Sequence, residues 1–97
     1  MNVISRKTLR EFWEKHADAE QPLKAWYYEA DRAGWKNSAE IKAKYRTASI
    51  LSSERVVFNI AGNKYRLIVV VKYRFKAVYV RFVGTHKDYD RVDAETI

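Results

Sequence analysis

The sequence predicts an α+β fold in which N-terminal helices pack on one face of a small, mostly antiparallel sheet of about four strands. Three observations predict it. Apolar residues recur at helical spacing through the first half, at Leu9, Phe12 and Trp13 and again at Leu23, Trp26, Tyr27 and Ala30. The second half changes to strict alternation over residues 64–75, the period of a half-buried strand. A Gly62-Asn63 pair between two such runs is a hairpin signal of the glycine-first kind.

Taken in order, Met1 to Ile4 is a short apolar run that suits an edge or central strand. Ser5 can cap a helix over 6–17, its hydroxyl accepting from an early helical N–H. His16, at helical spacing from Trp13, reads as structural. Pro22 suits the first turn of a second helix, and Gly34 sits where a left-handed helix stop is expected, with Trp35 folding back on the last turn. Asn37 and Glu40 form a capping-box-like pair for a third helix over 38–47, with Ile41 and Tyr45 inward. Residues 48–54 are irregular and read as a connection into the sheet. The three tryptophans, at 13, 26 and 35, read as packing residues. No repeat or linker divides the 97 residues, which suit a single domain with a small core.

The strands fix which side chains share a face. A turn centred on Gly62-Asn63 places Asn59 opposite Arg66 and Phe58 opposite Leu67. A turn centred on Phe75-Lys76 places Tyr73 by Val78, Val71 by Val80 and Val69 by Phe82. Leu67, Val69, Val71, Val80 and Phe82 then hold the helices. Val57, Asn59, Arg66, Lys72, Arg74, Tyr79 and Arg81 form one outer face. His86 has the parity of the buried side, and reaches the outer face only if the chain kinks; Gly84-Thr85 is the expected kink, because a strand glycine often marks a bulge. A straight strand would make His86 a core or edge residue.

The charge distribution gives that outer face a purpose. The chain carries a formal net charge of +7. Residues 1–54 hold ten Lys or Arg against eight Asp or Glu, residues 55–87 hold eight against none, and residues 88–97 hold one against four. The positive field therefore belongs to the sheet and points to a polyanionic partner, either nucleic acid or an acidic protein. A membrane surface ranks last, because no basic amphipathic helix with a lipid-facing edge is present. No apolar run is long enough to cross a bilayer, and the absence of cysteine suits a reducing, cytoplasmic setting.

Few residues can do chemistry. There is no paired-carboxylate arrangement, no phosphate-cradling glycine loop and no metal-ligand motif, so neither a metal nor a cofactor is expected. His86, Lys87 and Tyr89, next to Arg66 and Arg81, are instead a set of proton donors and cations. RNA cleavage by its own 2′-hydroxyl needs a base, an acid for the leaving 5′-oxygen, and cations for the charge gathering on phosphorus. Histidine, with an ordinary pKa of ~6.5, can exchange a proton near neutrality. Tyr79, the one aromatic on the outer face, is a base-stacking candidate.

The strings RVVFNIAGNKYRLIVVVKYRF and YVRFVGTHKDYD resemble the HigB family of bacterial toxins, within the RelE-like ribonuclease group. The resemblance rests on VVFNI-x-GNKYRL (Val56 to Leu67) and THKDYD (Thr85 to Asp90), about 35 residues, with support from a segment running from Trp35 to Ile41. It implies a RelE-like fold, ribosome-dependent cleavage of mRNA that inhibits translation, and neutralisation by a HigA-type helix-turn-helix antitoxin in a hetero-oligomer. By position it implies Arg66 at the scissile phosphate, His86 in the place of a late arginine or histidine, and Tyr89 as the late catalytic tyrosine. Asn59, Lys72, Arg74, Tyr79, Arg81 and Lys87 are then expected on RNA or phosphate. The chain lacks the paired lysines that some relatives carry on an earlier element, which leaves the identity of the general base open. The same superfamily contains gyrase-binding toxins, so a non-catalytic basic binding module is the alternative.

Overall fold

The computed structural model describes residues 1–97. In chain order the elements are β1 (Asn2–Ile4), α1 (Arg6–Lys15), a 3-10 turn (Ala17–Ala19), α2 (Glu20–Arg32), α3 (Ser38–Lys44), β2 (Ser49–Ile50), β3 (Arg55–Ile60), β4 (Tyr65–Lys72), a second 3-10 turn (Tyr73–Phe75), β5 (Ala77–Thr85) and α4 (His86–Tyr89). The strands form one sheet in the order β1-β5-β4-β3-β2, with β1 parallel to β5 and every other pair antiparallel. The sheet thus has five strands where about four were expected. The addition is β2, two residues within the stretch read as an irregular connection, and so short an edge offers little to another chain.

The helices follow their sequence signals with three differences. Ser5 caps α1, accepting from the Thr8 amide at 3.4 Å, and α1 stops at Lys15. Pro22 lies in the first turn of α2, where its missing N–H removes nothing that the helix would have paired. Gly34 does not supply a left-handed stop: α2 ends at Arg32, the next residue, Ala33, is extended, and the only positive-φ glycine is Gly62. Trp35 is buried in the same cluster as Trp26 and Ala30 of α2, with its ring 6.4 Å from Phe58 and 6.1 Å from Tyr45. Asn37 caps α3, accepting from the Glu40 amide at 3.1 Å, while the Glu40 carboxylate accepts from Lys36. α3 ends at Lys44, three residues short of the expected bound.

The helices cover one face of the sheet. Leu9, Trp13, Leu23, Trp26, Ala30 and Ile41 are buried against Val56, Phe58, Leu67, Val69, Val71 and Val78. Each large side chain fully withdrawn from water contributes about 1.5–3 kcal/mol, so this layer dominates the stability of the chain. All three tryptophans belong to it, and His16 stacks on Phe12 at 4.3 Å at its margin.

The first hairpin has the expected register, with Asn59 opposite Arg66 and Phe58 opposite Leu67. Its turn places Ala61 and Gly62 both at positive φ (55° and 70°), and the Lys64 amide donates to the Ala61 carbonyl at 3.3 Å. The second hairpin is displaced. Its turn comprises Tyr73 to Lys76, with Lys76 left-handed at φ 51°, so Lys72 pairs with Ala77 and Val71 with Val78.

The register then breaks once more. Val69 pairs with Val80 but Ile68 with Phe82, leaving Arg81 as an extra residue on β5. A bulge of this kind reverses the parity of every later side chain. Val83 now joins the helical face opposite Leu67, and Phe82 leaves it for the outer face, contrary to its expected role in the core. Gly84 stands opposite Arg66, and His86 follows on that same side. The kink expected at Gly84-Thr85 is therefore made three residues earlier, at Arg81.

The outer face is also not the open cationic surface that alternation suggests. Val57 and Ile68 lie on it and are as buried as the core. Arg55 donates through Nη1 to the carbonyls of Ala94 (3.2 Å) and Ile97 (2.6 Å), and Arg81 Nε to that of Ile97 (3.2 Å). The C-terminal segment crosses the middle of the face. Arginine is consumed there in holding it down.

Candidate active site

Local sequence brings three segments together at one end of β4. Arg66 is the second residue of β4, on the outer face and half-buried. Asn63 sits in the turn just before it. His86 and Tyr89 lie one helical turn apart on α4, so both project from the same side of that short helix. What starts α4 is a capping box: the Thr85 hydroxyl accepts from the Asp88 amide at 3.1 Å, and the Asp88 carboxylate accepts from the Thr85 amide at 3.3 Å. The cap ends β5 and fixes the angle at which His86 leaves it.

Gly84 makes the approach possible. A Cβ at this position would lie 2.6 Å from Phe82 Cζ and 3.1 Å from Asp88 Cβ. The Phe82 ring therefore rests over the glycine, between the sheet and α4, and only a residue without a side chain lets the two meet.

Arg66 Nε donates to His86 Nε2 at 3.3 Å, and the Arg66 guanidinium carbon lies 5.2 Å from the centre of the Tyr89 ring. His86 Nε2 is also 3.2 Å from Asn63 Oδ1. Arginine can only donate, so its bond needs a lone pair on Nε2, whereas a carbonyl oxygen at the same nitrogen needs a proton. One nitrogen thus has a partner suited to each of its protonation states.

The turn that carries Asn63 is pinned from the helical side. The Asp18 carboxylate receives the Lys64 ammonium and the Tyr65 hydroxyl. Those bonds, that of Lys64 foremost, hold the Asp18 carboxyl below its ordinary range; the same carboxylate raises both Lys64 and Tyr65.

Of the sequence-predicted residues, Arg66, His86 and Tyr89 come together, and Lys87 is exposed beside them on α4. The others do not join this cluster. Asn59 spends its amide on the Thr47 carbonyl (3.3 Å), and its Oδ1 is buried. Lys72 pairs with Glu54 at 2.8 Å, Arg81 holds Ile97, and Arg74 and Tyr79 lie at the opposite end of the hairpin. Asn63 was missed, although its place before Arg66 in a tight turn was available as a signal. So was the Thr85-His86-Lys87-Asp88 string, which reads as a helix start.

A family described as "HigB_toxin, RelE-like toxic component of a toxin-antitoxin system" matches residues 19–92. The chain is also 28% identical over 92 residues to the mRNA interferase toxin HigB of Escherichia coli (strain K12), covering 93% of this chain and 88% of that protein. The same identity and coverage relate it to proteins named mRNA interferase HigB from Escherichia coli O157:H7 and from Shigella flexneri.

Proposed function

The chain belongs to the HigB toxin family, and from that premise we propose that it is the toxin of a type II toxin–antitoxin system, an endoribonuclease that cleaves mRNA and so stops translation. Arg66, His86 and Tyr89 carry the reaction. The observation behind this assignment is the 3.3 Å contact between Arg66 Nε and His86 Nε2. In the free protein the arginine occupies the imidazole lone pair. A phosphate drawing Arg66 away would free that nitrogen at the moment the cation reaches the phosphoryl oxygens.

The RNA supplies its own nucleophile. Its 2′-hydroxyl attacks the adjacent phosphorus, the 5′-oxygen leaves, and His86 moves one of the two protons involved. Tyr89 faces Arg66 and serves as a hydroxyl donor to the phosphate or leaving group. Lys87 contacts the backbone. The ribosome is the site of action, in the cytoplasm, and a HigA-type helix-turn-helix protein is the antitoxin.

Mapping mRNA 5′ ends by primer extension after brief induction tests the reading. New ends with the wild-type chain, and none with His86→Ala at equal abundance, are expected. Growth arrest without new ends would mean a toxin that binds and does not cut.

A further inference from the structure

Phe75 is 76% exposed, the most exposed large apolar side chain in the protein. It stands at the tip of the β4–β5 hairpin, with Arg74 before it and Lys76 after it, and neither cation is paired with a carboxylate. Behind it, Tyr79 is 38% exposed, and the two rings help line a groove of about 390 Å³ shared with Glu54, Lys72 and Arg74. A phenyl left in water does nothing for the core, and the turn itself is made by the left-handed Lys76. The groove opens on the outer face that also carries Arg66, on the other side of the C-terminal segment that Arg55 and Arg81 hold. Lys72 lies six residue steps along β4 from Arg66, about 20 Å at roughly 3.3 Å per step.

We propose that this groove is a nucleobase subsite: an unstacked base of the RNA substrate lies against Phe75 and Tyr79 while Arg74 and Lys76 take the flanking phosphates. Aromatic faces with cations at their rim bind single-stranded RNA in this way, because every base has a π-face and every linkage a charge. Within the groove, Lys72 neutralises one oxygen of Glu54, and the other is free to accept from an exocyclic amine. The distance from Arg66 places the base several nucleotides from the scissile phosphate, so the subsite fixes register and takes no part in the chemistry. The proposal rests on RNA being the substrate, and its test does not require cleavage.

The probe is a fluorescein-labelled single-stranded RNA carrying 2′-O-methyl groups, which cannot be cut, titrated with the whole chain. Phe75→Ala should weaken binding by roughly 5- to 150-fold, the loss expected for one base–aromatic stack, and Phe75→Trp should restore it. The slope of log affinity against log salt should be unchanged in Phe75→Ala and shallower by about 1.4 in the Arg74→Ala, Lys76→Ala double variant, for two phosphates on a single strand. Wild-type affinity in Phe75→Ala overturns the subsite, as does a wild-type chain that binds no RNA. So does a variant that keeps RNA affinity and loses only the antitoxin, which assigns the groove to that protein. Base binding by a chain that makes no cuts would leave the subsite standing and overturn the nuclease reading alone.

Discussion

His86 Nε2 accepts a hydrogen bond from Arg66 Nε at 3.3 Å, an arrangement in which each side chain restrains the other. Two groups that act as a unit lose most of their effect when either is removed. His86→Ala should lower the rate of mRNA cleavage by about 10²–10⁴-fold, the usual worth of a positioned acid or base. The Arg66→Ala, His86→Ala double variant should fall far short of the product of the single losses. Both residues are only half-buried, so the unfolding midpoint of each variant should match the parent. Multiplicative losses would separate the two roles.

Gly84→Ala should destabilise the fold by about 1–3 kcal/mol, as overpacking does, because the new methyl meets Phe82 Cζ at 2.6 Å. Adding Phe82→Leu should return part of that stability by removing the obstructing ring. Equilibrium denaturation of the three proteins reads the result, and a fully stable Gly84→Ala would show that Phe82 does not rest where it is described.

Ile68→Ala should cost about 2–5 kcal/mol, as for any fully buried large aliphatic side chain, although alternation puts Ile68 on the outer face. Val57 should behave likewise at the smaller scale of its side chain. A loss under 1 kcal/mol, read from urea midpoints, would mean that the C-terminal segment lies off the sheet in solution.

Asp18→Asn should reduce stability over a bounded pH window. The carboxyl is lowered in the fold by Lys64 and Tyr65, so its contribution is present above the unfolded value of ~3.9 and disappears as pH falls through the folded one. Lys64 and Tyr65 are raised, so their share is complete below their unfolded values near ~10 and fades as pH rises through the folded ones. The difference between parent and variant, measured from denaturant midpoints, should be flat from about pH 5 to 9 and shrink on both sides. A difference that does not begin to shrink as pH falls below about 4, the unfolded value of the carboxyl, would exclude the ion pair as its source.

What the sequence made legible was whatever local chemistry dictates. Leu9, Leu23, Trp26 and Ile41 announce their helical stripe by spacing, and Gly62-Asn63 marks the centre of the first hairpin and so its register, although the positive-φ residues of the turn are Ala61 and Gly62. The bulge at Arg81 was not legible, since an extra strand residue needs no special side chain and Val80-Arg81-Phe82 looks like any strand. Its effect was attributed to Gly84, whose real task is to let Phe82 pass. The covering of the outer face had a readable sign in Ile68 and Val70, apolar residues at positions meant for water. Their alternation with Arg66 and Lys72 concealed it. Arg66, His86 and Tyr89 are singled out by chemistry and by resemblance; their proximity depends on a parity change that neither supplies.

The extra residue on β5 also has a genetic meaning. It is the one codon of the strand whose loss the rest could ignore: an in-frame deletion of Arg81 would take the residue and the bulge away together, so Val80 and Phe82 would alternate directly and Gly84 and His86 would keep the side they have. What turns His86 toward the helices is the opposite change, a strand that keeps every residue and pairs Arg81 in line. Length variation among related genes is therefore expected to be tolerated at this point of β5 and at few others.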